Sequence, residues 1–235
     1  MGYPVDMIGK DTKLFSTIGI NAIENKLNRY FNRYFKETDA DCKVMPLNIR
    51  EDDIGFFLNG LKDSKIKGVF FEQEYWSVVF NLLKPDDKEC QFAGICDTIE
   101  IENNSYKPSL TQGKALIELI TQNHSLQNVK IAIIGNTPSA KSFLFHLVSH
   151  NPSHIIFASE YIEEMIELMD FTEKIAHDIV RITDNKLEEQ IDVCINFTDS
   201  SVKNKASYNF HMKNDFPSLM ESIAQIKTKD WSNNG

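Results

Sequence analysis

Residues 131–143 read IAIIGNTPSAKSF: an apolar run, one glycine, a string of small residues, and then a helix-like KSFLFHLV. A strand, a tight turn and a helix N-terminus written in this way can hold a dinucleotide pyrophosphate, because turn N–H groups and the helix dipole both favour an anion. Gly135 supplies the turn, and Ala140 is small enough for close strand–helix contact. Pro138 and Ser139 can open the helix, whose first residue needs no N–H partner. After Asn136, however, Thr137 stands where such loops place a second glycine so that the phosphates can approach. The stretch predicts the shell of a dinucleotide site with impaired phosphate contacts.

Other chemistry-bearing residues form weaker patterns. His146, His150 and His154 recur every four residues, but Asn151-Pro152 breaks the helix between the last two and no carboxylate joins them at a metal-ligand spacing. NRYFNRYF at 28–35 interleaves arginine with aromatics; in an acidic chain this reads as an amphipathic helix face, with a dimer contact as the alternative. Lys203 and Lys205 follow a strand end and read as a polar tail. Cys42, Cys90, Cys96 and Cys194 form no CxxC pair, so neither a disulfide framework nor a structural zinc site is expected, and a reducing cytoplasm fits.

The chain has 235 residues, a net charge of −9 and 42% hydrophobic residues, which suits one large or two small soluble domains. Its acidity argues against nucleic acid or an anionic membrane as partner. MGYPVDMIGKDTK lacks the apolar core of a signal peptide, and no run of 18 apolar residues occurs.

Both halves alternate strand and helix. A helical pattern covers 17–35, with Ile18, Ile23, Leu27 and Phe31 at helical spacing. CKVMPL reads as a strand, 52–61 as a helix, GVFFE as a strand and EYWSVVFNLL as a helix. FAGICDTIEIENN reads as two short strands meeting at a polar turn, with Asn103 and Asn104 supplying the turn. A helix over 111–123 leads into the second half, whose strands at 128–134, HIIFAS, DIVRI and IDVCINF predict a small parallel sheet with right-handed crossovers. Past Ser200 only FPSLMESIAQI reads as a helix. The predicted fold class is α/β in two lobes, residues 1–110 and 111–235, the second Rossmann-like.

In this order the landmarks resemble the shikimate dehydrogenase family over roughly residues 2–201. GYPV looks like the family's opening G-x-P-[IV], and LFSTIGINAI like its Ser-Pro-x-x-His-Asn helix start. KGVFFEQEYW falls on K-G-x-N-V-T-x-P-x-K, AGICDTI on A-G-A-x-N-T-I, and SLTQGKAL on D-N-T-D-G-x-G-x. IIGNTPSAK falls on G-A-G-G-A-x-R and INFTDSS on I-N-A-T-[SP]. The resemblance implies a substrate-binding first lobe, a nicotinamide cofactor on the second, and a small molecule in the cleft between them. It places Ser16, Asn21, Phe70 and Tyr75 at the substrate, and Trp76, Gln112, Asp97 and Glu72 at the catalytic positions. Asn196, Phe197 and Thr198 fall beside the cofactor with the Gly135 loop, as do Ser159 and Glu160 after the second strand.

Every motif is degraded. The family's catalytic lysine falls at Trp76 and its aspartate at Gln112; neither replacement titrates near neutrality, so neither can move a proton as that pair does. The family arginine that grips the NADP 2′-phosphate falls at Glu160, which favours NAD over NADP, with no cofactor as the alternative. The C-terminal helical part that returns to the first domain is expected to be missing. The expectation is an NAD(P)-dependent oxidoreductase that does not reduce dehydroshikimate but acts on another small molecule. An amine or amino acid would suit an acidic, aromatic pocket of Glu72, Trp76 and Asp97, with Glu74 and Tyr75 nearby. A non-catalytic binding or scaffold relative and a cofactor-free enzyme are the alternatives, and a homodimer or protein partner stays open.

Overall fold

The computed structural model describes residues 8–233, so the GYPV landmark at 2–5 lies outside the described residues. Two α/β units form. The first comprises residues 1–111 and 220–235, the second residues 112–219.

The first unit begins with β1 (Lys13–Gly19), α1 (Leu27–Glu37), β2 (Cys42–Asn48), α2 (Ile54–Leu61) and β3 (Ile66–Phe71). It continues with α3 (Trp76–Leu83), α4 (Lys88–Ala93), β4 (Thr98–Glu102) and β5 (Ser105–Ser109). Its sheet runs β2-β1-β3-β4-β5, parallel through β3 and antiparallel beyond it. The helix expected over 17–35 is instead β1 followed by α1. β1 is an interior strand buried on both faces, and such a strand loses the period-two signal; Ile18 then falls by accident in line with the helical spacing of α1. The residues read as the first strand around FAG end α4, and the hairpin partner of β4 is β5 instead. The turn itself is where the sequence puts it, with Asn103 and Asn104 both at positive φ.

The second unit holds α5 (Gln112–Thr121), β6 (Lys130–Ile134), α6 (Pro138–Leu147), β7 (His154–Ser159), α7 (Ile166–Asp170), β8 (His177–Arg181), β9 (Val193–Asn196) and β10 (Tyr208–His211). All five strands are parallel in the order β10-β9-β6-β7-β8, so the direction of winding switches beside β6. This is the Rossmann-like arrangement read from the sequence, with β10 added where only a polar tail was expected.

The last element, α8 (Met212–Asn233), corrects two readings. Its residues from Met220 onward belong to the first unit, so the second lobe does not extend to 235, and a C-terminal helix does return to the first unit. Trp231 stacks on Phe15 at 4.3 Å and on Phe31 at 5.0 Å between ring centroids. Phe31 and Phe35 form the buried face of α1, while Arg33 lies over the Tyr30 and Tyr34 rings and pairs with Glu221 of α8. The interleaved arginine and aromatics are thus an amphipathic helix face. Among the described residues no helix is long and apolar enough to cross a membrane, and no group of three or more His, Cys, Asp or Glu is placed to hold a metal.

Candidate functional site

The second unit carries a cavity of about 250 Å³ at the C-terminal ends of β6, β7 and β9, where parallel α/β sheets place their ligands. Six of the residues expected near a cofactor meet on its wall: Gly135, Asn136, Thr137, Ser159, Glu160 and Thr198. Gly135 has φ 90°, a left-handed turn that costs glycine nothing. Asn196 and Phe197 act from behind the wall. Asn196 Oδ1 accepts from the Thr198 N–H (2.9 Å) and hydroxyl (2.8 Å), and its Nδ2 donates to the Ser200 carbonyl at 2.7 Å. Phe197 is buried with its ring 5.9 Å from that of Phe143. Sequence reading missed Tyr161, Glu164, Asn185 and Ser200 on the same wall.

Several of the loop's hydrogen-bonding groups are committed. Thr137 is the N-cap of α6, and its Oγ1 accepts the Ala140 N–H at 3.2 Å. Pro138 contributes no N–H, and the Asn136 amide donates to the Glu164 carbonyl at 2.6 Å. Lys141, the first cation after the loop, pairs with Glu167 at 2.7 Å. Among the described residues no lysine or arginine lines the cavity, whereas Glu160 and Glu164 both do. Set against a dinucleotide, the cavity offers Ile134, Ile182 and Val202 to a planar ring and Glu160 to a ribose diol. It fits the nucleoside end and does not fit the phosphates.

Gln112 and Ser139 belong to the same unit and to each other. The Ser139 hydroxyl donates to Gln112 Oε1 at 2.9 Å, and the Gln112 amide nitrogen is buried without a partner. Gln112 therefore ties α5 to α6.

In the first unit the expected site residues do not converge. Ser16 is a strand residue whose hydroxyl donates to the Met45 carbonyl at 2.7 Å, not the substrate-facing start of a helix; Asn21 sits in an exposed turn. Phe70 is buried against Phe31, and the Tyr75 hydroxyl donates to the Ile49 carbonyl. Trp76 is core, its Nε1 donating to the Phe71 carbonyl at 2.7 Å. Asp97 is fully buried and accepts the Thr111 N–H (2.9 and 3.1 Å) and the Thr98 hydroxyl (2.8 Å). The acidic, aromatic pocket expected of Glu72, Trp76 and Asp97 is thus absent, because local packing and backbone partners claim two of its three members.

Glu72 remains. It follows β3, its N–H donates to the Ile18 carbonyl at 2.7 Å, and its carboxyl lies over Gly19 with Oε1 buried and unpartnered. Burial first, then the neighbouring Glu74, pushes this carboxyl up to about 7, against a hydrogen bond with Asn25. Glu74 is held by the Ile20 N–H at 2.9 Å. Asp97 is likewise raised to about 6, mainly by burial, with its Thr111 and Thr98 donors acting the other way.

Both shifts act on stability with the same sign. A carboxyl raised in the folded state holds a proton that the unfolded chain releases, so its folded-state penalty is absent at low pH. The penalty grows as pH rises from 4.5 to about 7 for Glu72, and from 3.8 to about 6 for Asp97. The melting temperature of Glu72→Gln relative to the parent is therefore expected to rise across that first window. A difference flat with pH would show that Glu72 does not titrate there.

Fold and cavity together define a two-unit α/β protein with a Rossmann-like second unit. Shikimate dehydrogenase (NADP(+)) of Nitrosopumilus maritimus is 24% identical over 200 residues, covering 83% of this chain and 73% of its own. Among solved structures, an Ael1 enzyme from Pseudomonas putida matches with a TM-score of 0.80 at 12% identity, over 95% of this chain and 94% of its own. The 5-ketofructose reductase of Gluconobacter sp. strain CHM43 matches at 0.75 and 12%, over 94% and 86%. No protein-family model matches the chain. The chain is thus similar to proteins named as shikimate dehydrogenases over most of its length, and it shares the two-unit fold of solved shikimate dehydrogenases.

Proposed function

We propose that this chain does not reduce dehydroshikimate and that its first unit instead binds a different small molecule, an amine or amino acid, against Glu72. The observation that carries this reading is the Glu72 carboxyl itself, half-buried, with one oxygen unpartnered and its titration moved to about 7. Its ionised form accepts hydrogen bonds from an ammonium group, and its neutral-range titration suits proton exchange with a ligand. Dehydroshikimate chemistry is disfavoured because Trp76 and Gln112 occupy the positions of the proton-transferring pair and both are tied into the structure.

A second reading, an NAD(P)-dependent oxidoreductase acting on that same molecule, is favoured by the cavity at the switch point of the second sheet. The Nitrosopumilus relative is named for NADP(+), whereas Glu160 in this chain opposes a 2′-phosphate, so of the two dinucleotides NAD meets the smaller repulsion, although the lining does not fit the pyrophosphate of either.

Calorimetry with the common amino acids and simple diamines tests the first reading. At least one is expected to bind, and Glu72→Gln to weaken it by about tenfold or more. Binding that Glu72→Gln leaves intact would remove Glu72 from the site. Turnover of dehydroshikimate with NADPH at ordinary enzymatic rates, about 1 s⁻¹ or faster, would overturn the reading altogether. Titration with NAD, NADH, NADP and NADPH decides the second reading.

A further inference from the structure

We infer that Thr137 and Glu160 make the cavity of the second unit favour uncharged ligands over phosphate-bearing ones, which bears against the NAD(P)-dependent reading. A helix N-terminus binds an anion when its first N–H groups are unclaimed and the approach is clear. Here Thr137 does both things against that. Its Oγ1 takes the Ala140 N–H at 3.2 Å, and a β-branched side chain stands on the cavity wall where such loops place glycine. Pro138 removes another donor, and the Asn136 amide is spent on the Glu164 carbonyl. Glu160 and Glu164 also line the cavity, with Ser159 donating to Glu164 Oε2 at 3.2 Å, and among the described residues no cation lines it to offset them. An anion entering would lose water, meet two like charges and find few donors. The space is nonetheless retained, with apolar walls and hydroxyls suited to a neutral nucleoside-sized ligand. This inference is independent of Glu72, which lies in the other unit, so either can fail alone.

Calorimetry of the full chain with adenosine, ADP and NADP tests it. The parent is expected to bind adenosine at least as tightly as ADP. In Thr137→Gly/Glu160→Arg, ADP is expected to gain about tenfold or more relative to adenosine. ADP binding the parent about tenfold more tightly than adenosine would overturn the inference, as would a double variant with no gain for ADP. Should neither ligand bind the parent, ADP binding that emerges in the double variant supports it, and continued absence overturns it. Glu160→Arg alone, at an exposed position, covers the case of a double variant that does not fold. It should raise NADP binding relative to NAD, and an unchanged ratio counts against Glu160.

Discussion

Trp231→Ala is expected to cost about 3–5 kcal/mol of stability, the range for deleting a large aromatic from a packed core. Trp231 is 1% exposed and lies nearly parallel to Phe15, with Phe31 also stacked against it, so removal leaves a cavity bounded by strand and helix rings that cannot collapse without moving β1 or α1. Urea denaturation gives the difference directly. A loss below about 1 kcal/mol would show that the end of α8 is not part of the first unit's core. Trp231→Phe, which keeps an aromatic ring, should recover part of the loss.

Gly113→Ala is expected to be nearly as costly, about 3 kcal/mol, because the added carbon meets backbone. A Cβ at Gly113 would lie 2.1 Å from the Ser142 carbonyl oxygen and 2.3 Å from its carbon, and the Gly113 N–H bond to Ser142 Oγ at 2.8 Å would be lost as the helices parted. Gly60→Ala is the control. It also lies inside a helix, but nothing stands within 4 Å of the added carbon, so alanine there should stabilise by about 0.5–1 kcal/mol. If both substitutions behave alike, α5 and α6 are not packed as closely as described. The Gln112–Ser139 bond one residue away would then be in doubt as well.

The second unit was largely legible from sequence. Its strands are short apolar runs set off by turn residues, and the IAIIGNTPSAKSF stretch fixes β6, the Gly135 turn and the start of α6 together. Because parallel strands end on one edge, residues following β6, β7 and β9 had to meet, which is why Thr137, Glu160 and Thr198 share a wall. The first unit was less legible. β1 is sandwiched and carries no alternation, so Ser16 was given to a helix start. The partners of Trp76 and Asp97 are a carbonyl five residues back and an N–H fourteen residues on. Motif position cannot tell whether such a side chain serves its neighbours or faces a ligand. A motif inherited with changed residues keeps the backbone path and leaves each side chain to its own local contacts.

The division of the chain also sets an order of completion during synthesis. A domain's core closes once its last contributing residue is available, and amino-terminal domains ordinarily finish first. Here the amino-terminal unit requires Trp231, whereas the second unit is complete at Leu219. The core of the amino-terminal unit therefore cannot close around Phe15 and Phe31 until the end of α8 has been made.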